Sequence, residues 1–240
     1  MIPEGPTIDL NADLGEGFPH DDAILARVTS ASICCGAHAS DPATIVRTLH
    51  AAAAHRVVVG AHPGYADRAN FGREVSAATT AEVEALIRSQ FADLDALARS
   101  VGVPLRFVKP HGALYHQAQR EPAIALGVVR AMVRIGLPLV GMPGSLLEAE
   151  ADRVGVPFRS EGFPERRYRP DGSLAPRGEP GAVLDTPEAI ASQAVALARR
   201  GLATLCVHGD APHAVEWADV IREALARAGV AVRSGEPPWA

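Results

Sequence analysis

A recurring order of segments is the feature that most restricts the fold of this chain: a short apolar run, a polar or Gly-rich turn, then a helix-forming stretch. The apolar runs are rich in β-branched residues and end at Gly, His, Asp or Pro, which is typical of strands. Seven segments follow the pattern: TIDLNADLGEG, ASICCGAH, VVVGAHPG, LRFVKPHG, PLVGMPGS, VPFRSEGF and LATLCVHGD. Strands that alternate with helices predict a parallel sheet with the helices packed outside it.

The strand count selects among the parallel folds. A regular barrel of this kind has eight strands, so seven strands predict a distorted seven-stranded (β/α) barrel, with a doubly wound open sheet as the alternative.

With 240 residues, 48% of them hydrophobic, the chain fits one domain over 1–240. The segment 161–181 has no period, and we expect either a solvated loop or a long functional loop there. Its arginines are candidates to hold a carboxylate or phosphate: Arg166, Arg167, Arg169 and Arg177.

Several helix starts are marked by capping residues. The stretch DPATIVRTLHAAAAHR has Asp41 as its expected N-cap and Pro42 at the first helical position. TTAEVEALIRSQFADLDALARSVG opens with Thr and an early Glu and stops at Gly102. DTPEAIASQAVALARRG is expected to begin with Asp185 as its N-cap and to stop at Gly201.

Composition and missing motifs argue against several classes of function. The net charge of −5, without a basic stripe, argues against a nucleic-acid partner, and no apolar run has the length of a membrane span. The start, MIPEGPTIDL, lacks the features of a signal peptide, and three cysteines without a pairing pattern indicate a reducing cytoplasm. The chain contains no P-loop, no G-x-S-x-G elbow and no H-E-x-x-H zinc helix.

Ionisable side chains gather where the predicted strands end. Both candidate folds place ligands at the carboxyl ends of their strands. Ten such residues lie at or just after the ends of the first four predicted strands and the last one: Asp9, Asn11, Asp13, Glu16, His38, His62, Lys109, His111, His208 and Asp210. Any one of them could serve the structure alone, but so many placements in one chain predict a convergent site.

Lys109 is the single lysine among 23 Lys and Arg residues. A compact ammonium suits a reacting oxygen better than the planar fork of Arg does, so we expect Lys109→Arg to abolish activity without unfolding the chain.

The sequence leaves two catalytic chemistries open. A divalent metal on Asp13, His38 and His62 could activate water. Alternatively, a carboxylate or His could act as general base while Lys109 stabilises an oxyanion or phosphate.

Six segments that contain these residues resemble the LamB/YcsF family and together span nearly the whole chain: IDLNADLGEGF, CCGAHASD, VGAHPGYADRANFGRE, VKPHGALYH, EGFPERRYRPDGSLAPRGEPGAVL and VHGDAPHAV. The resemblance implies a distorted seven-stranded (β/α) barrel, similar to the barrel of glycoside hydrolases and carbohydrate deacetylases. It also implies the role of the A component in an ATP-dependent 5-oxoprolinase, which works with partner subunits B and C to open the ring of 5-oxo-L-proline to L-glutamate.

The resemblance and the strand-end pattern together give a set of site residues. Catalysis is assigned to Asp13, Glu16, Lys109 and His111, with Asp13 as the first choice of base. Substrate binding is assigned to Asn11, His38, His62, Arg73, Tyr115, Arg177, His208 and Asp210. ATP is expected as a co-substrate held with or by the partner subunits, and a homo-oligomer is compatible with the sequence. The alternatives are a metal-dependent amidohydrolase or deacetylase that acts without ATP, and a non-catalytic scaffold.

Overall fold

Seven parallel strands form a closed ring in the computed structural model, which describes residues 5–234; positions 1–4 and 235–240 of the predicted domain lie outside the described residues. The strands are β1 (Thr7–Leu14), β2 (Ser30–Cys34), β3 (Val58–His62), β4 (Leu105–Val108), β5 (Leu139–Gly141), β6 (Phe158–Gly162) and β7 (Thr204–His208). Each pairs with its neighbour in sequence, and β7 pairs back onto β1. The prediction of a seven-stranded (β/α) barrel is therefore confirmed, and the open-sheet alternative is wrong because the ring closes.

The ring is irregular at two places. Between β3 and β4 the register shifts between Val59 and Ala61, and β4 meets β5 through the single pair Val108 and Leu139. A further two-residue strand, β8 (Ala231–Val232), pairs with the first two residues of β1 before the β1–β7 pairing begins. These features account for the distortion that a count of seven strands predicted.

The helices surround the ring and supply most of the apolar cover. They are α1 (Asp21–Leu25), α2 (Pro42–Ala54), α3 (Thr80–Ser100), α4 (Gly112–Ala118), α5 (Pro122–Ile135), α6 (Leu146–Val154), α7 (Pro187–Arg199) and α8 (Ala214–Arg227). In α5, for example, Ile124, Val128 and Met132 recur at helical spacing and are fully buried. Within residues 5–234, none of these helices has both the length and the apolar composition that crossing a bilayer requires.

The predicted helix starts are confirmed except at α7. The side chain of Asp41 accepts a hydrogen bond from the Thr44 N–H, and Thr79 forms a capping box with Glu82 at the start of α3. The prediction of Asp185 as the N-cap of α7 is wrong. The N-cap is Thr186, whose hydroxyl accepts a hydrogen bond from the Ala189 N–H. Pro187 occupies the first helical position and keeps the residue before it extended, which is the conformation an N-cap needs.

The alternation of side chains along β1 positions the functional residues. Because successive side chains point to opposite faces of a strand, Asp9, Asn11 and Asp13 all face the barrel interior. Asp9 lies lowest, where its carboxylate accepts hydrogen bonds from the hydroxyls of Thr29 at 2.7 Å and Ser30 at 2.7 Å. A third hydroxyl, that of Thr204, donates at 2.6 Å. Asp9, predicted among the strand-end residues, therefore lies below the site and closes the interior of the barrel.

Candidate active site

Lys109 lies at the centre of the site, directly after β4, with only 2% of its surface exposed. Its ammonium lies 2.9 Å from Asp13 Oδ1 and 2.6 Å from Glu161 Oε1. It also donates to Asn11 Oδ1 at 3.2 Å and to Cys206 Sγ at 3.1 Å. Burial alone would lower the pKa of Lys109, but the negative charge of Asp13, together with Cys206 and Glu161, raises this pKa well above its usual value. The side chain is therefore a fixed cation and not a nucleophile.

Asp13 bridges this cation and the histidines. Besides Lys109, its carboxylate has His62 Nε2 as a neighbour, 3.5 Å from Oδ2. Burial alone would raise the pKa of Asp13, but the neighbouring His62 and the positive charge of Lys109 outweigh that effect and hold the pKa well below its usual value. Asp13 is thus an ionised carboxylate at the floor of the barrel mouth.

Three histidines and one carboxylate form a second, adjoining cluster: Glu16, His38, His62 and His111. His62 Nδ1 donates to the Lys109 carbonyl at 2.8 Å, and His111 Nε2 donates to the Phe71 carbonyl at 2.8 Å. The rings of His38 and His111 stack with centroids 3.8 Å apart, and His38 Nε2 lies 3.2 Å from Glu16 Oε1. Burial and the neighbouring His62 lower the pKa of His38 to about 3. Burial and the negative charge of Asp13 raise the pKa of Glu16 well above its usual value.

A glycine at the start of α4 fixes the position of His111. Gly112 has φ +55, and a Cβ on it would lie 2.5 Å from the Gly72 carbonyl oxygen. The same carbonyl accepts a hydrogen bond from the Ala113 N–H at 3.0 Å. The segment at Phe71 and Gly72 can therefore pack against the start of α4, and this contact places the Phe71 carbonyl within reach of His111.

A cavity of about 360 Å³ opens above Lys109. Its lower wall is formed by Asp13, His62, Lys109, His111 and His208, and its sides by Tyr115, His116 and Phe163. On the rim, Arg73 forms an ion pair with Asp210 and lies over the ring of Phe71, with 4.7 Å between the guanidinium carbon and the ring centroid. Glu165 contacts His208 Nδ1 beside the cavity.

The loop that follows β6 forms one side of this cavity. It is held in place by α7, where Gln193 Nε2 donates to the carbonyls of Phe163 at 2.9 Å and Arg166 at 2.7 Å. Arg166 and Arg177 line the cavity. Arg167 and Arg169 instead form ion pairs with Glu179 within the loop, so only two of the four predicted arginines face the space where a ligand would lie.

The predicted site residues divide into three groups in the structure. Asp13, His62, Lys109, His111, Tyr115, Arg73, Arg177 and His208 line the cavity. Asn11 and His38 are not among the residues that line the cavity. They stand behind its wall, where they contact Lys109 and Glu16. Glu16 is also buried, and Asp210 is paired on the rim.

The predicted metal set of Asp13, His38 and His62 does not converge. Among residues 5–234, the ligand atoms that lie within 4.8 Å of one another belong to two other groups. The first consists of Glu16, His62 and His111, and the second of Asp13, Cys206 and His208. His38 belongs to neither group, and its Nε2 lies 3.2 Å from Glu16 Oε1.

Sequence reasoning missed Glu161 and Cys206, and it named Arg166 only as one of four loop arginines that could hold an anion. Glu161 is completely buried and provides the shortest contact to Lys109, while Asn11 Nδ2 donates to it at 3.0 Å. The sequence did indicate Glu161, because it lies near the end of the predicted strand in VPFRSEGF, as the predicted site residues lie near the ends of theirs. Cys206, with its apolar neighbours in LATLCVHGD, carried no such signal. Arg166 could not be distinguished from the other loop arginines by spacing.

Known proteins resemble this chain over nearly its whole length. A relative from Mycobacterium avium (strain 104), the A component of 5-oxoprolinase by its name, is 44% identical over 95% of this chain and 98% of that protein. The crystal structure of the lactam utilization protein from Thermus thermophilus has a TM-score of 0.89 at 40% identity, covering 95% of this chain and all of that one. The polysaccharide deacetylase Bc1974 from Bacillus cereus has a TM-score of 0.59 at 10% identity and covers 97% of this chain and 93% of that one. This last likeness shows a shared barrel fold alone.

The family assignment follows from these matches and from the motifs that line the site. The sequence pattern of the LamB/YcsF family matches residues 8–238, a range that includes Asp13, His62, Lys109, His111 and His208. The chain therefore belongs to the LamB/YcsF family.

Proposed function

We propose that this chain is the A component of an ATP-dependent 5-oxoprolinase, which opens the ring of 5-oxo-L-proline to L-glutamate together with partner subunits B and C. The observation that carries the proposal is a small cavity with a fixed ammonium at its floor and four guanidinium groups along its wall and rim, those of Arg73, Arg120, Arg166 and Arg177. The substrate is a small ring with one carboxylate and one lactam oxygen, and these two groups match the two kinds of cation. The name and the 44% identity of the Mycobacterium avium relative support this choice of substrate.

Coupling to ATP is expected because the ring amide is unstrained and stable. Transfer of the γ-phosphoryl group to the lactam oxygen makes carbon five electrophilic. Water then adds to that carbon, the carbon–nitrogen bond breaks as nitrogen takes up a proton, and a second water releases phosphate from the resulting acyl phosphate. We assign phosphorylation to the partner subunits, because this chain has no P-loop, and the addition of water to this site.

Two side chains on the cavity floor are assigned to this step. The Lys109 ammonium is held in place by Asp13 and Glu161, so it can stabilise negative charge on oxygen without reorganising. The ionised Asp13 carboxylate lines the same cavity and is assigned to orient the attacking water.

The reducing cytoplasm is the compartment we infer, in keeping with the three free thiols.

Arg166 is the group we assign to the substrate carboxylate. It is 2% exposed, and its Nη2 donates to the Ala175 carbonyl while its Nε has no hydrogen-bond partner. No carboxylate of residues 5–234 forms an ion pair with it. Burial, together with the charge of Arg177, lowers the pKa of Arg166 to about 10. A buried cation of this kind is costly unless it is paired, and a carboxylate ligand in the cavity would pair it.

Replacing this guanidinium tests the assignment. We expect Arg166→Met to raise the KM for 5-oxo-L-proline by roughly 10- to 100-fold, since a lost charge-assisted contact is worth about 1.5–3 kcal/mol. Steady-state kinetics of the assembled enzyme would measure it. Arg169→Met is the matched control from the same loop, because Arg169 pairs with Glu179 and does not line the cavity. Equal KM values in the two variants would contradict the assignment.

The function itself is tested by glutamate release from 5-oxo-L-proline, with and without ATP and with and without the partner subunits. We expect release only when ATP and all three subunits are present. Release by this chain alone without ATP would contradict the coupling and favour an ATP-independent amidohydrolase. Tight ATP binding by the isolated chain would contradict the division of labour. Normal turnover after replacement of Asp13 would favour a scaffold.

A further inference from the structure

The nitrogens of two buried histidines face each other 3.0 Å apart. His62 uses Nδ1 to donate to the Lys109 carbonyl, and His111 uses Nε2 to donate to the Phe71 carbonyl. A carbonyl oxygen can only accept, so these bonds fix the tautomer of each neutral ring. The remaining nitrogens, His62 Nε2 and His111 Nδ1, then carry lone pairs and lie 3.0 Å apart. Two lone pairs at this distance repel each other unless a positive centre lies between them, which can be a proton on one of the rings or a metal ion that both nitrogens bind.

A carboxylate is directed at the same point. Glu16 Oε1 lies 3.4 Å from His111 Nδ1 and 4.0 Å from His62 Nε2. Two ligands of a tetrahedral zinc ion, each about 2.1 Å from the metal, lie roughly 3.4 Å apart. The three observed separations therefore lie close to what one shared ion needs. All three side chains are at least nine-tenths buried.

We propose that Glu16, His62 and His111 bind one divalent transition-metal ion, for which zinc is the best fit. Two imidazoles and one carboxylate form a ligand set that zinc uses where a coordination position stays open. The two backbone carbonyls orient the rings in the way that outer partners orient metal-binding histidines. His62 and His111 line the cavity, which gives the ion a route in and room for a further ligand.

The surrounding side chains support this position over the second group of ligand atoms. His38 stacks on His111 and holds Glu16 through its Nε2, so it fixes two of the three proposed ligands. In the group of Asp13, Cys206 and His208, the Lys109 ammonium already lies 2.9 Å from Asp13 and 3.1 Å from Cys206 Sγ. A dication there would meet a fixed positive charge, whereas the proposed site has no ammonium among its contacts within residues 5–234.

The test uses the full chain, freed of metal by chelation and then titrated with Zn²⁺. We expect one Zn²⁺ per chain by calorimetry, and a Tm that rises by roughly 5–10 °C when zinc exceeds its Kd about 100-fold. Co²⁺ in place of zinc is expected to give visible d–d bands without an intense thiolate charge-transfer band. A thiolate band would overturn the proposal, because it would place the metal on one of the three free cysteines and not on the proposed ligands.

Two variants separate the proposed ligands from their neighbours. Glu16→Gln keeps the shape of the side chain, and we expect it to weaken Zn²⁺ binding at least ~100-fold, the upper end of what loss of a supporting contact costs a metal site; His111→Ala is expected to do the same. Cys206→Ser is the matched control and should bind Zn²⁺ as the wild type does. If His111→Ala does not fold, the isosteric Glu16→Gln decides alone.

Two results would overturn the proposed zinc site. The first is a folded wild-type chain that takes up no Zn²⁺, and the second is a Glu16→Gln variant that binds the ion as tightly as the wild type. Neither measurement uses 5-oxo-L-proline or ATP, so the zinc site stands or falls independently of the proposed function.

Discussion

Lys109→Met is expected to lower turnover of the assembled enzyme by about 10³-fold, the scale of losing a charge-stabilising donor in a closed site. It is also expected to destabilise the chain by about 3–5 kcal/mol, because removal of one partner leaves the buried carboxylates of Asp13 and Glu161 without their cation. Kinetics and urea unfolding would measure the two effects separately. Turnover within about tenfold of the wild type would contradict the role of Lys109.

A matched control removes a cation from an exposed pair. Arg99 lies 2.7 Å from Asp95 on α3, with 77% of its side chain exposed, so Arg99→Met should change stability by less than about 1 kcal/mol and leave turnover unchanged.

For Lys109→Arg, the structure changes the expected effect on stability from the one that the sequence predicted. Because the side chain is fully enclosed, the larger fork of Arg would overpack the site by about 1–3 kcal/mol, and loss of activity would come with some loss of stability.

Gly112→Ala is expected to cost about 2–4 kcal/mol of stability, because strain and a backbone clash add together. The added Cβ would meet the Gly72 carbonyl oxygen at 2.5 Å in a backbone that already has φ +55. Separation of these two segments would also move the Phe71 carbonyl away from His111, and we expect activity to fall by at least about tenfold. Denaturant unfolding and steady-state kinetics would measure these effects.

Gly136→Ala isolates the clash from the strain. Gly136 ends α5 with φ +76, and nothing in the described residues lies within 4 Å of the position its Cβ would occupy. We expect this variant to lose only about 1 kcal/mol and to keep full activity. If the two alanine variants were equally stable, the contact between Gly112 and Gly72 would not be what holds the start of α4.

Much of the fold follows from local sequence patterns. The seven strand ends were visible because apolar runs stop abruptly at Gly, His, Asp or Pro. The count favoured a seven-stranded barrel but left an open sheet as the alternative, and the pairing of β7 with β1 decides between them. The floor of the site was predictable for the same reason: Asp13, His62 and Lys109 each follow or end a strand, and parallel strands bring such residues to one edge. The helix start at α7 was misplaced by one residue because Asp185 and Thr186 are both good caps.

The rest of the site depends on contacts that no local pattern encodes. Glu161 lies on β6 and Lys109 follows β4, with β5 between the two strands, so they meet only because both side chains point into the interior of the closed ring. The pairing of Arg167 and Arg169 with Glu179, which leaves Arg166 to face the cavity, depends on how the loop folds back on itself. The choice between Asp13 and Glu16 as neighbour of His111 likewise depends on side-chain directions that sequence spacing does not specify.

The enclosure of the single lysine also limits how reagents and enzymes that modify amines can act on this protein. All other basic side chains that stay charged are arginines, and the one ε-amine is 2% exposed with a pKa raised well above its usual value. Acylating reagents need a free, unprotonated amine, so the surface of the barrel offers them no lysine. The same holds for enzymes that acetylate or ubiquitinate lysines. The chemical group on which the proposed reaction depends is thereby shielded from the modifications that commonly silence it.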